Sequence, residues 1–308
     1  MNPLVEKLSA LKKGKNAILI AHYYQESQIQ DVADYIGDSY GMALYAAKQE
    51  AKIAIVAGVK FMGETIKVLN PNKKILLPDL NAGCSLADSC TPQVFAHFKS
   101  KYPDSFVMTY INSSLAIKAM SDVICTSSNA VKIASQIPEN KTILFGPDQH
   151  LGRYISKKLG RKMVLFPGNC FVHTSFSYKE LAKIKAQYPR AAIIAHPECE
   201  DSILSQADFI GSTSGLLTFT QESDFKQFIV MTEAGIIHQM KLKSPEKEFF
   251  LGPDLEGCAC NECPHMKLNT LEKVVSCLEN ESPEIIINEK EAALARPALD
   301  RMIEMAGN

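Results

Sequence analysis

The chain repeats itself three times, and that repeat constrains the fold more than any bulk property. Ala33-Asp34-Tyr35-Ile36-Gly37-Asp38-Ser39 aligns with Ser121-Asp122-Val123-Ile124-Cys125-Thr126-Ser127 and with Ala207-Asp208-Phe209-Ile210-Gly211-Ser212-Thr213. A ring side chain stands 17 residues before each closing hydroxyl: His22, Tyr110 and His196. Each copy then reaches a proline and a cysteine: Pro78 to Cys84, Pro167 to Cys170, and Pro253 to the cluster Cys258, Cys260 and Cys263. The period of about 86 residues is far longer than a solenoid repeat, so each copy reads as a small domain. Three such units round a pseudo-threefold axis would bring three rings, three hydroxyls and three thiols to one centre.

Within each copy, short apolar strands alternate with helical stretches. The first runs Ala17 to Ala21, Ile53 to Ala57 and Lys74 to Leu77; the second runs Phe106 to Thr109, Val123 to Cys125, Thr142 to Phe145 and Met163 to Phe166. That pattern predicts an α/β fold of three similar αβα domains with parallel sheets, arranged round a central active site. The expected boundaries are 1–86, 87–172 and 173–264, followed by a tail over 265–308. In the tail, Leu271 to Leu278 and Glu289 to Ala306 read as helices, and Ile285-Ile286-Ile287 as a short strand. Ligands bind at the carboxyl ends of parallel strands. The rings, hydroxyls and cysteines all follow strands, so all belong on the same edge of their sheets.

A net charge of -1 gives no reason to expect nucleic acid or a membrane surface as partner. No apolar run approaches the ~18 residues of a membrane span. Met1-Asn2-Pro3-Leu4-Val5-Glu6 lacks a basic stretch followed by an apolar one, so no secretory signal is expected. Nine cysteines then fit a reducing cytoplasm, where thiols serve metal or catalysis more often than disulfides. Three converging thiolates suit zinc or an iron–sulphur cluster. With only three protein ligands, one iron of a cluster stays open as a Lewis acid. Cys125, Cys199 and Cys277 read as small buried apolar residues. Spacing points to Cys258 as the third ligand, since it lies 62 residues after His196 as Cys84 lies 62 after His22. A local zinc knuckle over 258–263 with His265 is the competing reading of that cluster. Cys263 precedes Pro264, and a thiol at a helix start has its thiolate stabilised. The rings and hydroxyls suit a polyanionic substrate. Tyr24 and Glu198, each two residues past a ring, are candidates for acid–base work. Another iron–sulphur dehydratase, a cluster-bearing sensor or carrier, and a zinc-stabilised binding protein are the other functional readings of these residues.

Stretches spread through nearly the whole chain resemble quinolinate synthase. They include Ala21-His22-Tyr23-Tyr24-Gln25, Tyr110-Ile111-Asn112-Ser113, Thr126-Ser127-Ser128-Asn129-Ala130, His196-Pro197-Glu198-Cys199 and Cys263-Pro264-His265-Met266. The resemblance implies one 4Fe–4S cluster per chain, held by Cys84, Cys170 and Cys263, which overrules the spacing argument for Cys258. It implies condensation of iminoaspartate with dihydroxyacetone phosphate to quinolinate, with loss of phosphate and two waters. It carries His22, Ser39, Tyr110, Asn112, Ser127, His196, Glu198 and Thr213 into the substrate pocket. Tyr24, Tyr110, His196 and Glu198 are the expected catalytic residues. An aspartate-oxidising enzyme is the expected functional partner, and Cys260 a candidate redox neighbour of the third ligand.

Overall fold

The computed structural model describes residues 2–254 and 261–307. Cys258 and Cys260 lie outside them. Among the described residues, twelve strands form three separate sheets of four. The first holds β1 (Ala17–His22), β2 (Tyr35–Gly37), β3 (Ile53–Ala57) and β4 (Lys74–Leu76) in the order β2-β1-β3-β4. The second holds β5 (Phe106–Tyr110), β6 (Val123–Cys125), β7 (Ile143–Gly146) and β8 (Val164–Leu165) in the order β6-β5-β7-β8. The third holds β9 (Ala192–Ala195), β10 (Phe209–Ile210), β11 (Gln227–Met231) and β12 (Glu248–Leu251) in the order β10-β9-β11-β12. Every pairing within them is parallel. The three sheets therefore share one topology, and helices flank each of them.

The strands are short and apolar because both faces are covered. All five residues of β3, Ile-Ala-Ile-Val-Ala, are buried. The repeated aspartate has a structural job. Asp34 Oδ2 accepts from Leu19 N at 2.7 Å, Asp122 Oδ2 from Val107 N at 2.7 Å, and Asp208 Oδ2 from Ile193 N at 2.8 Å, each across 15 residues. The amide of each aspartate also donates to the carbonyl of the same strand residue, at 2.8, 2.9 and 2.8 Å. This two-way clip aligns the second strand of each unit against its first. It thereby sets where the ring and the hydroxyl of that unit emerge.

One apolar core runs from the first unit (Ile20, Met42, Phe61) through the second (Met108, Ile133, Phe145) to Leu299 and Met302 of the helix Glu289–Ala306. The third unit keeps cores of its own, on either face of its sheet. The C-terminal helix ties the first two units together. Arg296 Nη1 donates to Val68 O at 3.1 Å, and Gln136 Nε2 donates to Met305 O at 2.7 Å. The segment Ile285-Ile286-Ile287 is not a strand. A single antiparallel bridge joins Glu284 to Leu76, with Ile285 N donating to Ile75 O at 2.8 Å, and Ile286 is 79% exposed. Pro283 has no amide proton to extend the ladder, and β4 is only three residues long. Among the described residues, no helix is long and apolar enough to cross a membrane.

Removing a clip strands a buried amide, a cost of about 1–3 kcal/mol. Asp122→Ala is accordingly expected to lower the urea midpoint of unfolding, while Asp122→Asn, which keeps an acceptor oxygen, retains part of the difference.

Candidate active site

Strand ends deliver the site. His22 closes β1, Tyr110 closes β5, and His196 directly follows β9. In register, His22 lies beside Gly37 and Tyr110 beside Cys125. Each ring therefore sits next to the loop that carries its hydroxyl. Ser39 and Thr213 are the first residues of the helices Ser39–Lys48 and Thr213–Glu222. Asp38 and Ser212 cap those helices, accepting from Gly41 N at 2.9 Å and Gly215 N at 3.2 Å. Ser127 lies in a turn closed by Asn129 Oδ1, which accepts from Thr126 N at 2.7 Å.

One cavity of about 70 Å³ is lined by residues of all three units. From the first come His22, Tyr24, Ser39 and Cys84; from the second, Tyr110, Asn112, Ser127 and Cys170; from the third, His196, Glu198, Thr213 and Cys263. These are the twelve residues that the family resemblance assigns to the pocket, the cluster and the chemistry; Cys258 and Cys260 lie outside the described residues. Cys90, Cys125, Cys199 and Cys277 are buried away from it, at 2% exposure or less.

The three lining cysteines share a local setting. Cys84 precedes the helix Ser85–Ser89, Cys170 the turn Phe171–Thr174, and Cys263 the turn that leads into Met266–Leu268. Burial pushes all three thiols up, Cys84 to about 12, so each is protonated in the absence of a cation. The amides of Ala87, His173 and Met266 oppose that rise at the respective sulphurs. Cys84 also feels the charge of Cys263, and Cys170 that of Cys84, so the sulphurs are electrostatic neighbours. Three adjacent buried thiols with amides directed at them are a soft donor set, suited to zinc or to iron in a sulphide cluster. A metal entering there displaces their protons.

Glu198 is a buried carboxylate set beside two imidazoles. Its Oε2 lies 3.0 Å from His173 Nδ1 and 3.2 Å from His196 Nδ1, with every partner about 2% exposed. Burial pushes the carboxyl up, but the two imidazoles outweigh it and hold the group below the usual carboxylate range. Its other oxygen, Oε1, has no partner among the described residues. Behind it, burial and then the charge of Glu198 raise Asp148, which accepts from Leu151 N at 2.7 Å and from Cys170 N at 3.2 Å. Burial also raises Tyr24 and Tyr110, keeping both phenols protonated. His22 Nδ1 accepts from Tyr24 N at 3.2 Å, so its proton sits on Nε2 as a donor.

Sequence reasoning missed His173, Asp38 and Glu233, which line the same cavity. His173 stacks on His196 with ring centroids 4.6 Å apart. Cys170, His173 and Glu198 have ligand atoms within 4.8 Å of one another. The Cys170-x-x-His173 spacing was the available signal. Glu233, wholly buried, accepts from Cys263 N at 3.1 Å and Gly235 N at 2.7 Å and lies 3.3 Å from Lys267 Nζ, so it anchors the Cys263 loop. Nothing local in the sequence marks it.

Fold and cavity together define an α/β enzyme whose reaction chamber lies where three parallel sheets meet. Residues 6–304 match the family described as Quinolinate synthetase A protein. The chain is 55% identical over 303 residues to a quinolinate synthase of Gloeothece citriformis, covering 98% of this chain and 94% of that one. It is 55% identical over 303 residues to the quinolinate synthase of Cyanophora paradoxa, covering 98% and 92%. It is 54% identical over 304 residues to that of Chloroherpeton thalassium, covering 98% and 94%. The chain belongs to the quinolinate synthase family.

Burial, with His196 behind it, lowers His22 from 6.5 to about 3. The folded chain keeps this ring neutral, while the unfolded chain protonates it below about 6.5. The stability it contributes is therefore complete above about 6.5 and is lost as the pH falls towards 3. His22→Gln removes this linkage and is expected to move the acid-unfolding midpoint, followed by circular dichroism, to lower pH than in the wild type.

Proposed function

We propose that this enzyme condenses iminoaspartate with dihydroxyacetone phosphate to quinolinate, releasing phosphate and two waters. Cys84, Cys170 and Cys263 would hold a 4Fe–4S cluster. The observation that supports the reading is one cavity lined by three thiols, one from each repeat, together with an ionised carboxylate and two protonated phenols. When bound, the cluster supplies a Lewis-acidic iron for dehydration, because three cysteines leave one of four irons without a protein ligand.

The chain's own groups do the rest. Among the described residues the cavity wall has no lysine or arginine. The substrate's carboxylates and phosphate are instead held by hydroxyls and amides at the starts of the Ser39 and Thr213 helices, by Ser127, and by the Asn112 amide. His22 Nε2–H donates to the same anions. Glu198 Oε1, ionised and unpaired, is the base that takes protons from carbon. Tyr24 and Tyr110 are the acids that protonate departing oxygen. Quinolinate needs two such eliminations and a ring closure, so a base and acids on one wall suit the sequence of steps. An aspartate-oxidising enzyme as supplier and a reducing cytoplasm as compartment belong to the same reading.

Anaerobic reconstitution with iron and sulphide tests it. Supplied with dihydroxyacetone phosphate and iminoaspartate generated in place, the enzyme is expected to form quinolinate, read by its ultraviolet absorbance. Cys84→Ala, Cys170→Ala and Cys263→Ala are each expected to lose the cluster's visible absorbance, while Cys125→Ala keeps it. Glu198→Gln is expected to keep the cluster and lower kcat by about 10² or more. A full cluster in any of the three cysteine variants removes that residue from the ligand set, and a loaded wild type that makes no quinolinate ends the proposal.

A further inference from the structure

Cys170 stands immediately before the turn Phe171–Thr174, and His173 lies within it. That spacing brings the thiol and the imidazole to one side of a single helical turn. Glu198 reaches the same point from the loop after β9. One sulphur, one nitrogen and one oxygen, a donor atom from each residue, all lie within 4.8 Å of one another. His173 Nδ1 and Glu198 Oε2 are 3.0 Å apart. Yet His173 Nδ1 has no hydrogen-bond partner among the described residues, and neither has Glu198 Oε1. Both side chains are about 2% exposed, so bulk solvent does not reach these atoms. Buried polar atoms without partners are costly unless a ligand meets them.

The donor set says which ligand. Thiolate, imidazole and carboxylate are the three ligand types of zinc. Zinc bonds of roughly 2.0–2.3 Å place tetrahedral ligand atoms roughly 3.3–3.8 Å apart, so small side-chain rotations close the set. A divalent cation with one thiolate and one carboxylate is neutral overall, which lowers the cost of burying it. Magnesium and calcium call for oxygen ligands instead. The imidazole is also held from behind. His173 Nε2 lies 2.9 Å from Thr232 Oγ1, which leaves Nδ1 for a metal, as in most ligating histidines. Cys84 and Cys263 are not part of this group.

We propose that the iron-free chain binds one zinc ion through Cys170, His173 and Glu198, and, resting on the function proposed above, that this zinc and the cluster exclude each other. Cys170 is required by both. On binding, its thiol gives its proton to solvent, and the thiolate, the Nδ1 lone pair and a Glu198 oxygen coordinate the ion; no electron moves. Three protein ligands leave the fourth position to water. Zinc there withholds a sulphur from the cluster and caps the base, so the enzyme is off. Zinc binds such sites more tightly than ferrous iron does, so a chain not yet loaded is open to capture.

The full chain, freed of iron under anaerobic conditions, is titrated with Zn2+ against a chromophoric chelator. One zinc per chain is expected. Cys84→Ala and Cys263→Ala are expected to bind it within about threefold of the wild type, whereas Cys170→Ala and His173→Gln lose about a hundredfold or more in affinity. Co2+ reads the donor set in the wild type itself, which decides the matter should a variant not fold. Its sulphur-to-cobalt charge-transfer band is expected at the intensity of one thiolate. Zinc-loaded chain given iron and sulphide is expected to stay without the cluster's visible absorbance, and to gain it once the zinc is chelated. No zinc bound, zinc kept by His173→Gln, zinc lost from Cys84→Ala or Cys263→Ala as from Cys170→Ala, or a cobalt band of three thiolates each overturn the site. A cluster that loads beside retained zinc overturns the exclusion. A zinc-free wild type that loads no cluster overturns the functional reading and the exclusion with it, while the zinc titration, which needs no cluster, still decides the site.

Discussion

A parallel strand can present its following loop at one end of its sheet only. Every group in the cavity depends on that directional constraint. His22, Tyr110 and His196 emerge at the carboxyl ends of the first strands, and the paired aspartate clips keep the neighbouring hydroxyl loops in step with them. Because all three sheets have the same strand order, the same construction supplies each third of the chamber. The three contributions are not chemically equal. Two rings are imidazoles and one is a phenol. The third unit adds Glu198, where the first has Tyr24, two residues past the ring. An asymmetric reaction can in this way be run from a nearly symmetric scaffold.

The chamber's electrostatics follow from its dryness. Burial makes His22 neutral, keeps the two phenols protonated and pushes Asp148 up, while the imidazoles beside Glu198 hold that carboxylate ionised. Outside the wall, Lys118 is wholly buried and donates to Ser113 O. Burial lowers it to about 8, against the pull of Glu64 and Cys84. It therefore supplies positive charge behind the first cysteine without offering the substrate an ammonium group. Charge in a low-dielectric interior acts at longer range than in water, so a cation placed behind a sulphur still acts on it.

The repeat made the architecture readable, because identical spacing in three copies can be satisfied only by three similar units. It also made the rings, hydroxyls and first two cysteines readable, since each is fixed by distance from a strand end. The third cysteine was not fixed in this way. The third copy is longer before Cys263, and spacing alone points to Cys258, which lies outside the described residues. Long-range partners were equally hidden. Thr232 Oγ1 lies 2.9 Å from Tyr24 Oη across 208 residues, and no local pattern in the sequence marks that pairing. The aspartate of the repeat was visible as a match, but its role needed the backbone geometry. Ile285-Ile286-Ile287 had the composition of a strand and lacked an edge long enough to pair with.

The way the units are joined has a mechanical consequence. The first and second share one apolar core, and parting them would expose it at about 25 cal/mol per Å². The third meets the first through polar contacts, Gln239 to Gln30 at 2.9 Å, Gln30 to Gly235 O at 3.0 Å, Ser214 to Asp38 at 2.7 Å and His238 to Asp31 at 2.6 Å, and through Tyr23 and Tyr24, which pack on one of its apolar cores. The two seams therefore differ in kind: one is sealed by a continuous apolar core, while the other adds directional bonds and the His238–Asp31 ion pair, so dissolved salt bears on the second and hardly on the first.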